Sequence, residues 1–313
     1  MDIKRIVIPT PYAVGDVNAF LVKGDVLTLF DVGPKTEEAY EALEHGLKQS
    51  GYRFEDVEQV VLTHHHPDHA GWTDAFTNAA LLAHPYVDHW IRMTEDFQAY
   101  RTKFYEDELK SQGILEPYHS YILRVREELE KIGSRPLTNT IDHLQEVPGH
   151  PGLKAYYTPG HAQSHFIFVD EQTNEAIGGD LLLNKVSSNP LVEPPIDLTF
   201  TRPKSLLQYN QSLKFLQTLN LSTIYTGHGE VVINSKELVN ERLEKQKNRA
   251  LKVLGMLEEP KTTFEATMAL FPKVYSKEPG LTVSETLGQL DYLVDEQLAT
   301  VEEREGVLYY QKA

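Results

Sequence analysis

Short apolar runs alternate with a helical pattern over the first third of the chain. Strands are predicted for three runs that end at prolines or at a glycine turn, residues 3–8, 18–23 and 26–31. Apolar residues recur every fourth position across 36–49, which predicts an amphipathic helix, and a buried strand is predicted over 57–63. This order of strands and helix, with short connections, predicts a layered α/β architecture.

The pattern changes between about residues 85 and 143, where aromatic residues, leucines and charge pairs are mixed at helical spacing. We interpret this segment as a helical insertion over the sheet. β-like runs then return, followed by a helix, a short strand and a long charged helix. The predicted bounds of these elements are 154–158, 166–170, 176–178, 203–219, 223–226 and 235–258.

The last part of the chain has a pattern of its own. Helices are predicted over 264–270 and 282–294, and a hairpin is predicted from 300–303 and 307–310. Two helices followed by a two-stranded wing are the outline of a winged helix. We therefore predict a main domain and a small winged-helix-like domain. Their predicted bounds are 1–258 and 259–313.

The 313-residue chain carries a net charge of −16 with its histidines neutral. This charge opposes contact with a nucleic-acid backbone, so a small-molecule substrate is the more expected partner. No apolar run approaches the ~18 residues of a membrane span, and the first residues lack a secretory-signal pattern. We therefore expect a cytoplasmic protein without a membrane segment.

Cysteine is absent from the sequence, which excludes disulfides, thiolate nucleophiles and metal sites with sulfur ligands. Any bound metal ion must therefore be held by histidine and carboxylate. A dense group of such residues directly follows a predicted strand and so lies at its carboxyl edge. In this group, His64 and His66 can direct two nitrogens at one ion, whereas Asp68 and His69 point toward a second.

Three single residues complete the set, each beside glycine at the end of a predicted strand. They are His161, Asp180 and His228. Glycine allows the close backbone approach that inserts one ligand into a crowded centre. Each residue alone is typical of a turn, but their order after the histidine cluster predicts a centre with two divalent ions. Five histidines and two carboxylates favour Zn²⁺, with iron or manganese as alternatives.

These residues resemble the motif set of the metallo-β-lactamase-fold hydrolase superfamily over about residues 15–230. The superfamily's His-x-His-x-Asp-His motif corresponds to His64, His66, Asp68 and His69. Asp31 matches an aspartate at the end of an early strand in that family. The resemblance implies an αββα sandwich with a dinuclear metal site at one edge, carried by the main domain as catalytic domain.

The resemblance also implies a role for each donor. The implied ligands of the first ion are His64, His66 and His161. The implied ligands of the second ion are Asp68, His69 and His228. Asp180 is then the bridging ligand, and Asp31 orients a ligand or the loop that bears it. Asp68 and Asp31 are the carboxylates predicted to take part in catalysis.

The leading functional prediction is a metal-dependent hydrolase of a small ester, thioester or lactone, similar to hydroxyacylglutathione hydrolase (glyoxalase II). Two ions lower the pKa of a shared water and make hydroxide available as nucleophile. The winged helix resembles the branch that includes β-lactamase-like protein 2, so an endoribonuclease or phosphodiesterase is an alternative. A further alternative is a non-enzymatic winged-helix regulator with a metal-sensing domain. The acidic winged helix is expected to pack beside the site or to mediate a homodimer.

Other polar and aromatic residues give weaker signals. His165 is expected in the core more than in the site. The loop after Asp180 either lines the pocket or is solvated, through Asn184, Lys185 and Asn189. Two histidines of the insertion are expected to be structural, His84 and His89. The tyrosines of the insertion are expected to pack rather than to recognise a ligand: Tyr100, Tyr105, Tyr118 and Tyr121.

Overall fold

The computed structural model describes residues 1–123, 131–197 and 201–313. Within these ranges, the first sheet has six strands in the order β1 to β6. Their bounds are β1 Ile3–Ile8, β2 Val17–Lys23, β3 Leu27–Phe30, β4 Gln59–Val61, β5 Ala80–Ala83 and β6 Asn139–Thr140. The strands β1 to β3 are antiparallel, and β3 to β6 run parallel.

The second sheet has the order β10-β9-β8-β7 in the described part of the chain. Its strands are β7 Leu153–Tyr157, β8 Phe166–Asp170, β9 Glu175–Gly179 and β10 Thr223–Thr226. The strands β7, β8 and β9 are antiparallel, whereas β10 runs parallel to β9. The strands β7, β9 and β10 therefore end at the same edge of the sheet.

Helices cover the outer faces of both sheets. Their bounds are α1 Glu37–Gln49, α2 Pro67–Ala70, α3 Pro85–Arg92, α4 Glu95–Ser111, α5 Glu116–Leu123, α6 Ser205–Thr218, α7 Ser235–Leu254, α8 Thr263–Leu270 and α9 Pro279–Asp295. Thr36 caps α1, because its side chain accepts a hydrogen bond from the Ala39 amide. The apolar stripe of α1 then packs on the first sheet.

Successive side chains of a strand point to opposite faces of its sheet, so the two sheets form one core between them and one core on each outer face. In β3, Leu29 faces the core beneath α1, whereas Phe30 faces the second sheet. Phe30 meets Phe168 of β8 there, with ring centroids 5.1 Å apart. On the other side of β8, Ile167 packs in a core with Leu213 of α6. The order of layers is helices, sheet, sheet and helices, which confirms the predicted αββα sandwich.

The predicted insertion contains α3, α4 and α5, and its residues 124–130 lie outside the described ranges. The segment is not helical to its end, because β6 extends the first sheet by pairing Asn139 with Leu82 of β5. A strand of two residues is too short to produce an alternating pattern. The prediction of a purely helical insertion over 85–143 is therefore wrong at its carboxyl end.

The carboxy-terminal segment has the predicted order of helix, helix and hairpin. The hairpin pairs β11 Ala299–Arg304 with β12 Val307–Lys312. Leu287 and Leu290 of α9 share a core with Ala250 and Val253 of α7. This segment therefore packs on α7 through a common core. No helix in the described ranges combines the length and apolarity needed to cross a bilayer.

Candidate metal centre

Loops at one edge of the two sheets bring the predicted donors together. The stretch from Thr63 to His69 follows β4 and runs into α2, and Asp31 follows the neighbouring parallel strand β3. The second sheet adds one residue after each of three strands. These residues are His161 after β7, Asp180 after β9 and His228 after β10. Because these strands end at one edge, residues distant in sequence become neighbours.

All seven predicted donors meet in what we call the donor cluster. The first donor group consists of His64, His66 and His161, and the second donor group consists of Asp68, His69 and His228. Within each group the ligand atoms lie within 4.8 Å of one another. Asp180 lies between the groups, with Oδ2 3.6 Å from His161 Nε2 and 3.4 Å from His228 Nε2.

Hydrogen bonds orient the histidine rings through the nitrogens that face away from the cluster. His161 Nδ1 donates to the Asn189 carbonyl at 3.2 Å, and His228 Nδ1 donates to the Asp16 carbonyl at 2.8 Å. Histidines that hold metal ions are usually fixed by such an outward hydrogen bond, which selects the tautomer with an inward lone pair.

Asp31 connects two histidines of the donor cluster. Its Oδ2 accepts hydrogen bonds from His69 Nδ1 and from the Thr63 hydroxyl, each at 2.8 Å. That hydroxyl also accepts a hydrogen bond from His64 Nδ1 at 3.0 Å. Asp31 is buried and has a left-handed φ of 59°, which is uncommon for a residue other than glycine. Such a backbone is retained where the surrounding contacts fix it.

Several inward atoms of the donor cluster have no hydrogen-bond partner within the described residues. They are His69 Nε2, His161 Nε2, His228 Nε2 and Asp180 Oδ1. An unsatisfied buried polar atom costs roughly 1–3 kcal/mol, so a convergent set of them calls for a ligand. Nitrogen and carboxylate donors without sulfur suit Zn²⁺ and harder divalent ions. The residues present therefore fit a metal centre.

The charge states of the donor cluster also favour a bound metal ion. Burial lowers the pKa of His64 well below 6.5 and that of His161 to about 4, so both rings are neutral at pH 7. Burial alone would lower the pKa of His228 too, but Asp180 raises it to about 10. The buried carboxylates thus favour positive charge in their midst, which divalent ions supply.

Glu193 and His65 belong to this site, although the sequence pattern predicted neither. Glu193 is buried, and its Oε1 accepts a hydrogen bond from His66 Nε2 at 3.2 Å and lies 3.3 Å from His65 Nε2. Burial alone would raise the pKa of Glu193, but the two histidines hold it below its usual range. The sequence offers one sign of a buried acid here, since Glu193 is the single charged residue in the otherwise apolar run 191–195, which ends in two prolines.

His165 is a buried residue that holds the loop bearing Asp180. Its Nε2 accepts a hydrogen bond from the Asp180 amide at 3.0 Å, and its Nδ1 lies 2.9 Å from the Thr158 hydroxyl. His84 caps α3 through the Tyr86 amide, and His89 stacks on an aromatic ring of α4, which agrees with their expected structural roles.

A cavity of about 970 Å³ opens beside the donor cluster. His66, Asp68, His161 and Asp180 form part of its wall, together with Glu193. The rest of the wall is mainly apolar and comes from the loop after β1, from α4, from the loop after β9 and from α9. A carbonyl compound held in this cavity would lie against the donors.

The loop after Asp180 lines the cavity through Asn189 but not through Asn184 or Lys185, which are exposed. Of the insertion tyrosines, Tyr118 packs on an aromatic ring of α8 and Tyr100 packs on one of α4. Tyr105 departs from the prediction, because it lines the cavity and donates a hydrogen bond to the Val192 carbonyl. The side chain of Tyr121 lies outside the described residues.

Comparison with known proteins identifies relatives over most of the chain. The family model for the metallo-beta-lactamase superfamily matches residues 12–228. The probable metallo-hydrolase YqjP of Bacillus subtilis (strain 168) is 39% identical over 301 residues, which are 96% of this chain and 94% of that protein. An N-acyl homoserine lactonase of Bacillus thuringiensis is 25% identical over 216 residues, covering 68% of this chain and 70% of the lactonase.

A solved structure extends this similarity to both ends of the chain. A metallo-beta-lactamase family protein from Thermus thermophilus superimposes with a TM-score of 0.82 at 27% sequence identity. The match covers 99% of this chain and 98% of that one. The fold similarity therefore includes the carboxy-terminal segment, beyond the residues that the family model matches.

Proposed function

Because this chain belongs to the metallo-β-lactamase superfamily, we propose that it is a metal-dependent hydrolase of small acyl esters, thioesters or lactones, with zinc as its metal. The observation that carries the proposal is the opening of the donor cluster into a mainly apolar cavity. In this proposal each donor group would hold one ion, and Asp180 would be a ligand that the two ions share. Two bound divalent ions would polarise a carbonyl and lower the pKa of a nearby water.

The residues of the chain prepare this chemistry in three ways. His64 and His161 are neutral, so each offers a lone pair at neutral pH. Asp31 fixes the ring of His69 and, through the Thr63 hydroxyl, the ring of His64. The apolar cavity wall keeps bulk water from the substrate, which strengthens electrostatic interactions at the reacting carbonyl.

The cavity wall supports an acyl substrate over a phosphodiester. No lysine or arginine is among the described residues that line it, so the phosphates of a nucleic acid that lie away from the proposed ions would find no cationic side chain there. The same absence counts against S-acylglutathione, which carries two free carboxylates. The lactonase among the relatives supports lactones as one member of the proposed class.

The test is a substrate panel on the zinc-loaded protein. The panel contains p-nitrophenyl esters, acyl-CoA, S-lactoylglutathione, lactones and bis-p-nitrophenyl phosphate. We expect turnover of the neutral carbonyl compounds, and turnover of the phosphodiester alone would overturn the proposal. Asp68→Asn should lower kcat at least about 100-fold by weakening a donor, whereas Asp25→Asn in an exposed turn serves as the matched control. Far-UV circular dichroism checks that both variants fold.

A further inference from the structure

We infer that the cavity beside the donor cluster is a pocket for an uncharged aliphatic acyl chain and that helix α9 selects this chain. The inference rests on the proposed function, since it assigns the acyl side of the same carbonyl substrate. Three features carry it: the apolar residues of the wall, the internal partners of the polar side chains beside α4 and α9, and the apolar side chains at its mouth.

Three parts of the chain supply buried or half-buried apolar side chains to the wall. They come from α4 and the turn after it, from the loop after β9, and from α9. These residues are Leu109, Ile114, Leu183, Leu191, Val283 and Leu287. Leu109, Ile114 and Val283 also pack with one another in a common cluster, so α9 and the insertion form one continuous surface.

Two polar side chains beside α4 and α9, Glu108 and Ser284, are already engaged with other parts of the protein. The Glu108 carboxylate lies 3.3 Å from the Arg202 guanidinium. The Ser284 hydroxyl accepts a hydrogen bond from the Val192 amide at 3.2 Å. With these partners satisfied inside the protein, a ligand in this part of the cavity gains mostly from apolar contact.

Charge excludes an anionic tail on the bound chain. Among the described lining residues the acidic side chains away from the donor cluster are Glu108 and Glu278, and neither lysine nor arginine lines the cavity. A terminal carboxylate or phosphate would therefore lose its hydration without gaining an opposite charge. An aliphatic chain loses no such partner and gains from leaving water.

Exposed apolar side chains surround the mouth of the cavity. Val14 is 38% exposed, Val186 is 43% exposed and Leu281 of α9 is 46% exposed, and all three line the cavity. Apolar side chains grouped around an opening mark a binding site more often than an ordinary surface. The volume of about 970 Å³ is near the upper end for a small-molecule pocket, so it accommodates a medium-length chain.

The first experiment measures kcat/KM for p-nitrophenyl esters from acetyl to decanoyl on the zinc-loaded protein. We expect kcat/KM to rise about fourfold per added methylene until the cavity is full, because each buried methylene gains apolar contact. A terminal carboxylate on the octanoyl chain should abolish the gain. A flat or falling series from acetyl to octanoyl would overturn the inference.

A pair of variants tests the role of α9. Leu281→Asp places a charge at the mouth of the cavity, in the first turn of a helix where an acid is well tolerated. We expect the octanoyl-to-acetyl ratio of kcat/KM to fall at least tenfold. Val274→Asp is the matched control, since Val274 is 44% exposed in the same segment and lies outside the cavity wall. An unchanged ratio in Leu281→Asp would overturn the selection by α9.

Direct binding separates this inference from the proposed function. Calorimetric titration of the unmodified protein with neutral 1-alkanols needs no turnover. We expect affinity to rise by about fourfold per methylene from butanol to octanol and to fall in Leu281→Asp. If octanol binds but no ester, thioester or lactone is hydrolysed, the proposed function fails and the apolar pocket stands. If hydrolysis occurs but alkanol affinity does not depend on length, the pocket assignment fails.

Discussion

Glu193 is a buried side chain that orients His66, a donor far from it in the sequence. Its carboxylate holds the outward nitrogen of His66, from a position 127 residues further along the chain. Because the loop that carries Glu193 also carries Asn189, the partner of His161, one loop orients two members of the first donor group. No local pattern reveals this relation, since it arises from the packing of the loop after β9 against the loop after β4.

Glu193→Gln is predicted to weaken one of two zinc equivalents. Glutamine keeps the size of the side chain but lacks the negative charge that faces the ring N–H groups of His66 and His65. We expect the zinc affinity of the first donor group to fall about tenfold and that of the second donor group to change much less. Chelator competition measures both equivalents, and Glu259→Gln at an exposed position is the control. Equal loss of both equivalents would contradict the prediction.

Asp31→Asn isolates the charge of Asp31 from its backbone conformation. Asparagine tolerates a left-handed φ as aspartate does, so the turn after β3 is expected to persist. The carboxylate accepts from the Thr63 amide through Oδ1 and from His69 and the Thr63 hydroxyl through Oδ2. In asparagine one of these two acceptors is replaced by an NH2 group, which would face a donor. We expect zinc affinity to fall 10- to 100-fold, measured by calorimetry. A wild-type affinity in this variant would show that Asp31 does not position the donors.

At the scale of elements, the ends of the strands carry the site and glycine allows them to approach it. The Gly227 backbone follows β10, and its amide donates to the Gly179 carbonyl at 2.7 Å. A Cβ at this position would overlap Asp180 Oδ1 and lie 2.8 Å from His69 Cε1. The sequence pattern of single donors beside glycine therefore has a steric cause in this structure.

Gly227→Ala is predicted to displace donors rather than the strand. The backbone there is fixed from both sides, since the Gly227 carbonyl also accepts from the Asn18 amide at 2.7 Å. We expect at least a tenfold loss of zinc affinity, read as metal content after dialysis. Gly255→Ala is the matched control, because the nearest atom that its added Cβ would meet among the described residues lies 3.5 Å away. Full metal content in Gly227→Ala would mean that the donors accommodate the added methyl group.

His84 links the stability of the fold to pH through the cap of α3. Its Nδ1 accepts from the Tyr86 amide, and its ring stacks on Tyr157. Burial, aided by His65 and opposed by Asp142, lowers the pKa of His84 to about 4. The unfolded chain binds this proton near pH 6.5, so the stability of the folded state decreases as pH falls from 6.5 toward 4.

His84→Asn is predicted to flatten this dependence. Asparagine retains an acceptor for the cap but takes up no proton. The slope of the unfolding free energy between pH 6.5 and 4 should decrease by up to about 1.4 kcal/mol per pH unit. Urea unfolding of both proteins with chelator present measures the slope, and the difference at pH 8 gives the packing effect alone. Parallel curves for the two proteins would contradict the assigned proton.

The elements that sequence periodicity predicted are those whose own residues form a buried face. Helix α1 and most strands of the two sheets are examples, since alternation or fourfold spacing reflects which side meets a core. Two strands of the first sheet were not predicted. Strand β6 has only two residues, and β5 is a short apolar run of four residues without alternation. The common core of α9 and α7 was not predicted either, because a helix shows that it has an apolar face but not which partner covers it.

At the scale of the whole molecule, the donor cluster makes stability depend on metal. Buried nitrogens that face one another without partners are satisfied when an ion binds. At 100 times the dissociation constant, a ligand stabilises the folded state by about 2.7 kcal/mol per site. We therefore expect chelation to lower Tm by roughly 5–10 °C and zinc to restore it. Identical melting curves with zinc and with chelator would contradict a metal centre.

The position of the cavity wall along the chain has a consequence for how such a protein diversifies. Every member of the donor cluster precedes residue 229, whereas α9 supplies one side of the cavity from beyond residue 278. If α9 selects the substrate as proposed, mutation or recombination in the carboxy-terminal segment would change which molecules are accepted while the donors stay intact. Descendants of one gene would then keep the same reaction while moving to new nutrients or signals.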